Sequence, residues 1–180
     1  MIKAFKRLYW DIVDKSIRFA IVEYIIRDFP GFFGIHVRAW WYAKRFKKVG
    51  KNLHVLPGSI IIHPERIECG DNVSIGYNNY IQAGGGLVLG NDTMLGPYVK
   101  IWTQNHVFSD PEIPVRLQGY SHHPVVINED VWIGANSFIM PGTVLASKSV
   151  VSAGSVVGAK NYPEGIVLAG NPARKIGQRI

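Results

Sequence analysis

From Ile127 onward an aliphatic residue stands at every sixth position: Ile127, Ile133, Ile139, Leu145, Val151 and Val157. Four residues beyond each of the first five come Val131, Ser137, Thr143, Ser149 and Ser155, all small or β-branched. An earlier run, Cys69, Ile75 and Ile81, resumes after a slip of two residues at Leu89, Leu95 and Ile101. Gly76, Gly90, Gly96 and Gly134 each follow their aliphatic residue directly. A period of six fits neither an α-helix nor a simple alternating strand. It fits one short strand plus a corner. Three such units close a triangular coil with the aliphatic residue on the axis and the glycine relieving crowding near the turn. Stacked coils then bury a continuous core that no single coil could bury. The twelve positions make four coils, with partial coils expected before Cys69 and after Val157. The competing reading is a β-sandwich with evenly spaced strands, and six successive hits argue against it.

The repeat is interrupted once. Between Ile101 and Ile127 the pattern is lost in a segment containing Pro111, Pro114, Gly119 and Pro124. A long loop leaving a rigid scaffold is a common place for function. This one, about residues 102–126, carries His106, His122 and His123, half of the chain's 6 histidines.

Residues 1–50 have a different character. From Lys3 to about Phe29 the spacing is helical, with Phe5, Leu8, Tyr9, Ile12, Ser16, Phe19 and Ala20 on one face. Phe29-Pro30-Gly31 breaks that helix, and a second is expected over about Ile35 to Val49. The first 52 residues hold twelve Lys/Arg against four Asp/Glu, whereas residues 53–180 hold eight against nine. They also hold 12 of the 21 aromatic residues. The chain therefore divides into a basic, aromatic helical extension (1–50) and a repetitive body (51–180). No secretory signal is visible, because residues 2–14 alternate charged and apolar side chains. The most apolar stretch, Phe19 to Ile26, contains Glu23 and falls short of the ~20 residues that span a bilayer. A cytoplasmic protein is expected. One cysteine, Cys69, excludes an intramolecular disulfide framework and a cysteine-based zinc cluster.

Val-Trp-Ile-Gly at 131–134, Ser-Ala-Gly-Ser-Val-Val at 152–157 and Ala-Gly-Asn-Pro-Ala-Arg at 169–174 resemble the hexapeptide-repeat acyltransferases, and most closely the sugar and polysaccharide O-acetyltransferases. Thr-Gln-Asn-His-Val-Phe-Ser-Asp-Pro at 103–111 is similar to their catalytic loop. The resemblance spans about residues 50–178. It implies a left-handed parallel β-helix, a homotrimer, and acyl-CoA bound between neighbouring subunits, with acetyl-CoA as co-substrate and no metal.

Transfer of an acetyl group from a thioester to a hydroxyl needs a base, and imidazole suits that task at cytoplasmic pH. His106 begins the excursion from the repeat, and the resemblance places the catalytic histidine there. By the same likeness Trp132 and Ala135 line the pantetheine groove and Ala153 gives backbone contact, while Lys160, Arg174 and Lys175 meet the phosphates. Asn105, Asp110 and Gln118 in the loop, and Asn78 and Asn79 on a coil expected to face it, are candidate acceptor contacts. Some galactoside- and maltose-type relatives carry an acidic acceptor contact on that coil, where this chain has Ala83-Gly84-Gly85-Gly86. That departure argues against a simple free-sugar acceptor. The basic aromatics of residues 1–50 match an interfacial helix on anionic lipid, and hence a lipid-linked glycan acceptor. The bland alternative is a cap on the open end of the solenoid. No nucleic-acid motif accompanies them.

The resulting expectation is an acetyl-CoA-dependent O-acetyltransferase acting on a sugar hydroxyl in surface-polysaccharide biosynthesis. Three alternatives stand beside it: a nucleotide-sugar N-acyltransferase, a zinc lyase of the carbonic-anhydrase kind using His106, His122 and His123, and a non-catalytic membrane-associated scaffold.

Overall fold

A computed structural model describes residues 13–179. The body is a triangular solenoid of parallel strands. Its first face stacks Lys48–Val49, Ile67–Cys69, Leu87–Leu89, Val125–Ile127, Val144–Leu145 and Asn161–Tyr162. The second stacks His54–Val55, Ser74–Ile75, Met94–Leu95, Trp132–Ile133, Val150–Val151 and Ile166–Gly170, with Ala173–Gln178 closing it antiparallel. The third face holds Ile60–Ile62, Tyr80–Gln82, Lys100–Trp102, Phe138–Ile139 and Val156–Val157. This makes five full coils and a sixth that stops after the second face. The partial coil expected before Cys69 is a complete one, Val49, Val55 and Ile61, separated from Cys69 by the same slip that separates Ile81 from Leu89.

The expected axis positions are the core. Ile75, Ile81, Ile101, Ile127, Ile133, Ile139, Leu145, Val151 and Val157 are all fully buried. Each such side chain stabilises the fold by roughly 1.5–3 kcal/mol relative to exposure. Coils are joined by backbone hydrogen bonds such as Gly96 N–H to Ile133 O at 2.7 Å. The small residues on the second ladder satisfy themselves locally: Ser149 and Ser155 donate to Ala146 O and Ser152 O, each at 2.6 Å. At Gly134 a Cβ would lie 2.5 Å from Ala153 N of the next coil, so the close stacking of this corner requires glycine.

Cys69 faces the same core, and burial pushes its thiol up to about 12. The thiol therefore stays protonated at neutral pH, and its thiolate, the reactive form, is nearly absent. A thiol-alkylating reagent at neutral pH is expected to label Cys69 only as denaturant unfolds the chain, followed by mass spectrometry. Rapid labelling of the native protein would contradict that packing.

Two helices, α1 (Lys15–Arg27) and α2 (Gly31–Ala43), precede the solenoid. The expected α1 face is only partly found. Phe19 is half-buried and stacks on Trp41 at 5.9 Å, whereas Ala20 is exposed; Phe5, Leu8, Tyr9 and Ile12 lie outside the described residues. The second helix starts at Gly31 and ends at Ala43, shifted from the expected Ile35 to Val49. Pro30, extended at φ −77° and ψ 167°, sets its start. Its end comes early because Lys48 and Val49 pair with Glu68 and Cys69 as the first rung of the solenoid.

The helices are fastened to the first coil by buried polar groups. The Arg38 guanidinium is fully buried and donates to the carbonyls of Val55 (2.9 Å), Ile26 (3.1 Å), Arg27 (3.2 Å) and Phe29 (2.8 Å). Burial pulls its pKa down, and Asp28 opposes that. The Tyr42 hydroxyl donates to Glu23, whose carboxylate also accepts the Ile61 N–H at 3.1 Å. Burial and then the Glu23 charge push the Tyr42 phenol strongly upward. With Tyr42 and Phe46 in the core, the helices cover the N-terminal end of the solenoid.

Candidate active site

Every large insertion in the repeat falls at the corner joining the third face to the first. In the first coil this corner holds the short turn Pro64–Arg66; in the second it holds Ala83-Gly84-Gly85-Gly86. In the third it opens into the whole segment 103–124. The expected irregular loop is in fact a two-stranded ribbon at its base. Gln104–His106 pairs antiparallel with Tyr120–His122, placing Gln104 opposite His122, Asn105 opposite Ser121, and His106 opposite Tyr120.

Because side chains alternate along a strand, His106, Tyr120, Gln104 and His122 share one face of the ribbon, and Asn105 and Ser121 take the other. The His106 and Tyr120 rings pack with centroids 4.3 Å apart, tilted by 36°. His106 is exposed, and its backbone N–H donates to Asn105 Oδ1 at 3.0 Å. Sequence reasoning missed Tyr120 and Gln104, whose positions opposite and beside the histidines depend on ribbon register. His123 follows the strand, and its N–H returns to Thr103 O at 2.9 Å. Among the described residues no three His, Cys, Asp or Glu are grouped to hold a metal.

The ribbon stands on a prepared bed. Buried Thr103 accepts the Gly85 N–H at 2.7 Å and donates its hydroxyl to Gln82 O at 2.9 Å. Gln82 Oε1 accepts from Gly84 N–H at 2.7 Å, and Arg66 donates to Gly84 O. A Cβ at Gly85 would lie 2.1 Å from Thr103 O and 3.0 Å from His123 N. Gly85 is therefore glycine because the ribbon's backbone presses on it. Gly85→Ala is expected to displace the ribbon base, and a misplacement on the order of 1 Å costs about 100-fold in turnover. Steady-state kinetics should show that loss in kcat with the donor KM little changed; unaltered kcat would remove the bed from the account.

Asp110 and Gln118 brace the ribbon's tip. Gln118 donates to Asp110 O at 2.8 Å and to Ile113 O at 2.6 Å, and accepts from Asp110 N–H at 3.1 Å. Asp110 Oδ1 accepts the Glu112 N–H at 2.9 Å. Their side chains shape the tip. Asn79 corrects an expectation: it is buried, its Oδ1 accepting Val99 N–H at 2.7 Å inside the coil, out of an acceptor's reach. Asn78 occupies a left-handed corner position at φ 54°, which asparagine tolerates.

The expected donor residues gather elsewhere. Ala135 and Ala153 stack on consecutive coils at the corner between the second and third faces, with Gly154 N–H donating to Ala135 O at 2.8 Å. Trp132 lies half-exposed on the second face beside them, in register with Met94 and Val150. Asn78 and Tyr98 continue that edge below. Arg174 lies at the C-terminal end; burial pushes the nearby Tyr162 phenol up, opposed by its hydrogen bond to Gly158 O at 3.2 Å, two residues before Lys160, and by the Arg174 charge. Lys175 is separated from it, since adjacent residues of a strand face opposite ways, and it donates to Gln178 at 3.1 Å. Within one chain, then, His106 and the Trp132–Ala135–Ala153 strip stand on different edges of the prism. A concavity of about 1060 Å³ among Phe19, Trp41, Ile60 and Ile62 is beside neither.

Residues 124–159 match the family described as Bacterial transferase hexapeptide (six repeats). The chain is 33% identical over 167 residues to YvoF of Bacillus subtilis, named as a candidate acetyltransferase, covering 90% of this chain and 77% of that one. The chain belongs to the hexapeptide-repeat acetyltransferase family. Its fold is accordingly a left-handed parallel β-helix. It superposes with a TM-score of 0.80 on a maltose O-acetyltransferase from Clostridium difficile 630, 26% identical, covering 91% of this chain and 85% of that one. A hexapeptide-repeat acetyltransferase from Vibrio cholerae O1 biovar eltor, solved with acetyl coenzyme A, has the same fold at TM-score 0.78 and 24% identity, covering 92% of this chain and 90% of that one. The match spans only 57% to 63% of the length of four further relatives, two of them galactoside O-acetyltransferases, from Escherichia coli and Lactococcus lactis.

Proposed function

We propose that this hexapeptide-repeat protein is an acetyl-CoA-dependent O-acetyltransferase that acetylates a sugar hydroxyl in surface-glycan biosynthesis. The observation that carries the proposal is the ribbon, which holds His106 against Tyr120 on a rigid base, clear of the core. In the proposed step the sugar hydroxyl attacks the thioester carbonyl while the His106 imidazole takes its proton. The tetrahedral intermediate collapses, the carbon–sulfur bond breaks, and the imidazolium returns the proton to the departing thiolate. Trp132, Ala135 and Ala153 hold the pantetheine arm, and Lys160 and Arg174 meet its phosphates.

The functional unit in this proposal is a homotrimer. Its support is the separation of His106 from the donor strip within one chain, which a neighbouring subunit's ribbon would close. Exposed Tyr77, Met94, Tyr98 and Trp132 along the donor edge give that contact an apolar surface. The protein works in the cytoplasm, and residues 1–50 hold it at the membrane, where a lipid-linked glycan is its acceptor.

The test is release of coenzyme A thiol from acetyl-CoA with separated pools of hydroxy sugars, amino sugars and lipid-linked glycans, each product weighed by mass spectrometry. An ester on a hydroxy sugar is the expected result. An amide product would replace O-transfer with N-transfer, and acceptor-independent release alone would leave no acetyltransferase to explain.

A further inference from the structure

His106 is exposed, and an exposed imidazole has a freedom that a base must lose before it can act. Three staggered χ1 wells and two ring orientations give roughly six arrangements, so a free ring would offer the right nitrogen about one sixth of the time. A histidine is commonly oriented by a hydrogen bond to its second ring nitrogen. Among the described residues none reaches the His106 ring. Its backbone N–H donates to Asn105 Oδ1, and the ring itself packs on Tyr120.

Strand register explains why that packing is close. His123 N–H donates to Thr103 O at 2.9 Å, and Val107 N–H donates to Gly119 O at 3.1 Å. These are hydrogen-bonded pairs of the ribbon. Such pairs alternate along an antiparallel ladder, so Asn105–Ser121 is a third, while Gln104–His122 and His106–Tyr120 are non-hydrogen-bonded pairs. Opposite Cα atoms then stand about 4.5 Å apart instead of about 5.5 Å, and their side chains meet. The centroid separation of 4.3 Å follows from that placement. A slip of one residue would put the tyrosine on the face of Asn105 instead. Gln104, the neighbour of His106 on its own strand face, is engaged elsewhere: its Oε1 lies 2.4 Å from where a Cβ at Gly84 would stand.

We infer that Tyr120 is the positioning residue of His106, its ring face and not its hydroxyl holding the imidazole in the arrangement that takes the acceptor's proton. This role rests on the reading of His106 as the base. Freeing the imidazole costs about 6-fold in kcat by the count of arrangements alone. Drift of its nitrogen by about 1 Å raises the loss towards 100-fold. Donor affinity does not change, because Ala135 and Ala153 stand on another edge of the prism.

The experiment is a double-mutant cycle on the full chain: the natural protein, Tyr120→Val, His106→Ala and the double variant, with Tyr120→Phe beside them. Valine is β-branched and suits a strand, and Tyr120 is 55% exposed, so the fold does not hang on its ring. The rate is thiol release from acetyl-CoA with hydroxy sugars and lipid-linked glycans supplied together. The acetyl-CoA dissociation constant and the sedimentation of each variant are measured alongside. The expected result is a loss of about 6- to 100-fold in Tyr120→Val, with donor affinity and assembly kept. Tyr120→Phe should stay within a few-fold of the natural rate, and Tyr120→Val should cost nothing further once His106 is alanine. Additive losses overturn the inference, since Tyr120 would then act apart from His106. A Tyr120→Phe protein as slow as the valine variant overturns it too, by making the hydroxyl the working group. A Tyr120→Val protein that fails to assemble would make the ring a structural prop, with the same consequence. Loss in His106→Ala with a natural rate in Tyr120→Val removes the positioning role alone. A natural rate in His106→Ala removes the reading of His106 as the base, and this role with it.

Discussion

His106→Ala is expected to lower acetyl transfer by about 10²- to 10⁴-fold, the usual contribution of a positioned general base. The loss should fall on kcat. The donor's dissociation constant should stay within a few-fold of the natural value, because Trp132, Ala135 and Ala153 lie on a different edge of the prism from the ribbon. Alanine removes no backbone hydrogen bond of the ribbon, whose pairing runs through main-chain atoms of Gln104–His106 and Tyr120–His122. Structure and assembly are therefore expected to survive. Titration of acetyl-CoA beside a thiol-release time course separates the two effects. Equal release from both proteins would mean that His106 is not the base, and a parallel loss of donor binding would mean that the ribbon shapes the donor site.

Arg38→Met carries the largest expected effect on stability. Methionine fills much of the arginine's volume but leaves the carbonyls of Val55, Ile26, Arg27 and Phe29 without the donor they now share. Hydrogen bonds to a charged group contribute about 1.5–3 kcal/mol each and are not additive, so a loss of about 3–5 kcal/mol is expected. It should be local. A solenoid's stability is close to a sum over neighbouring coils, so the coils beyond the first keep their own contacts. Limited proteolysis is expected to cut between residues 13 and 43 while leaving the body intact. A single cooperative unfolding with a much lowered midpoint would instead make the helices integral to the whole.

The axis of the solenoid was legible because the step from one inward residue to the next is constant, and Ile127 to Val157 follow it without a miss. Val49, Val55 and Ile61 obey the same step. They escaped notice because Val49 lies in a stretch whose aromatics, Trp40 to Phe46, also suit a helix. The ribbon was not legible, since Gln104-Asn105-His106 and Tyr120-Ser121-His122 are polar and lack the apolar alternation by which strands announce themselves. The reason for Gly85 lies in the backbone of Thr103 and His123, and Gly84 faces the Gln104 side chain; no local pattern encodes that. The burial of Arg38 has no signature in the sequence; only the tertiary fold shows the carbonyls that draw it inward. His106 is singled out by likeness to a motif, whereas its packing against Tyr120 follows only from the strand register.

The corner that joins the third face to the first absorbs extra chain in three successive coils without disturbing one rung of the ladder. A tight turn, a glycine run and a long ribbon all fit where two coils later a few residues suffice. Segment 103–124 thus behaves as an exchangeable cassette. Its length and side chains can drift, or be grafted from another family member, while in the proposed enzyme the edge at Ala135 and Ala153 keeps its spacing for the same acyl carrier. Such a scaffold can acquire new acceptors without relearning how to hold its donor.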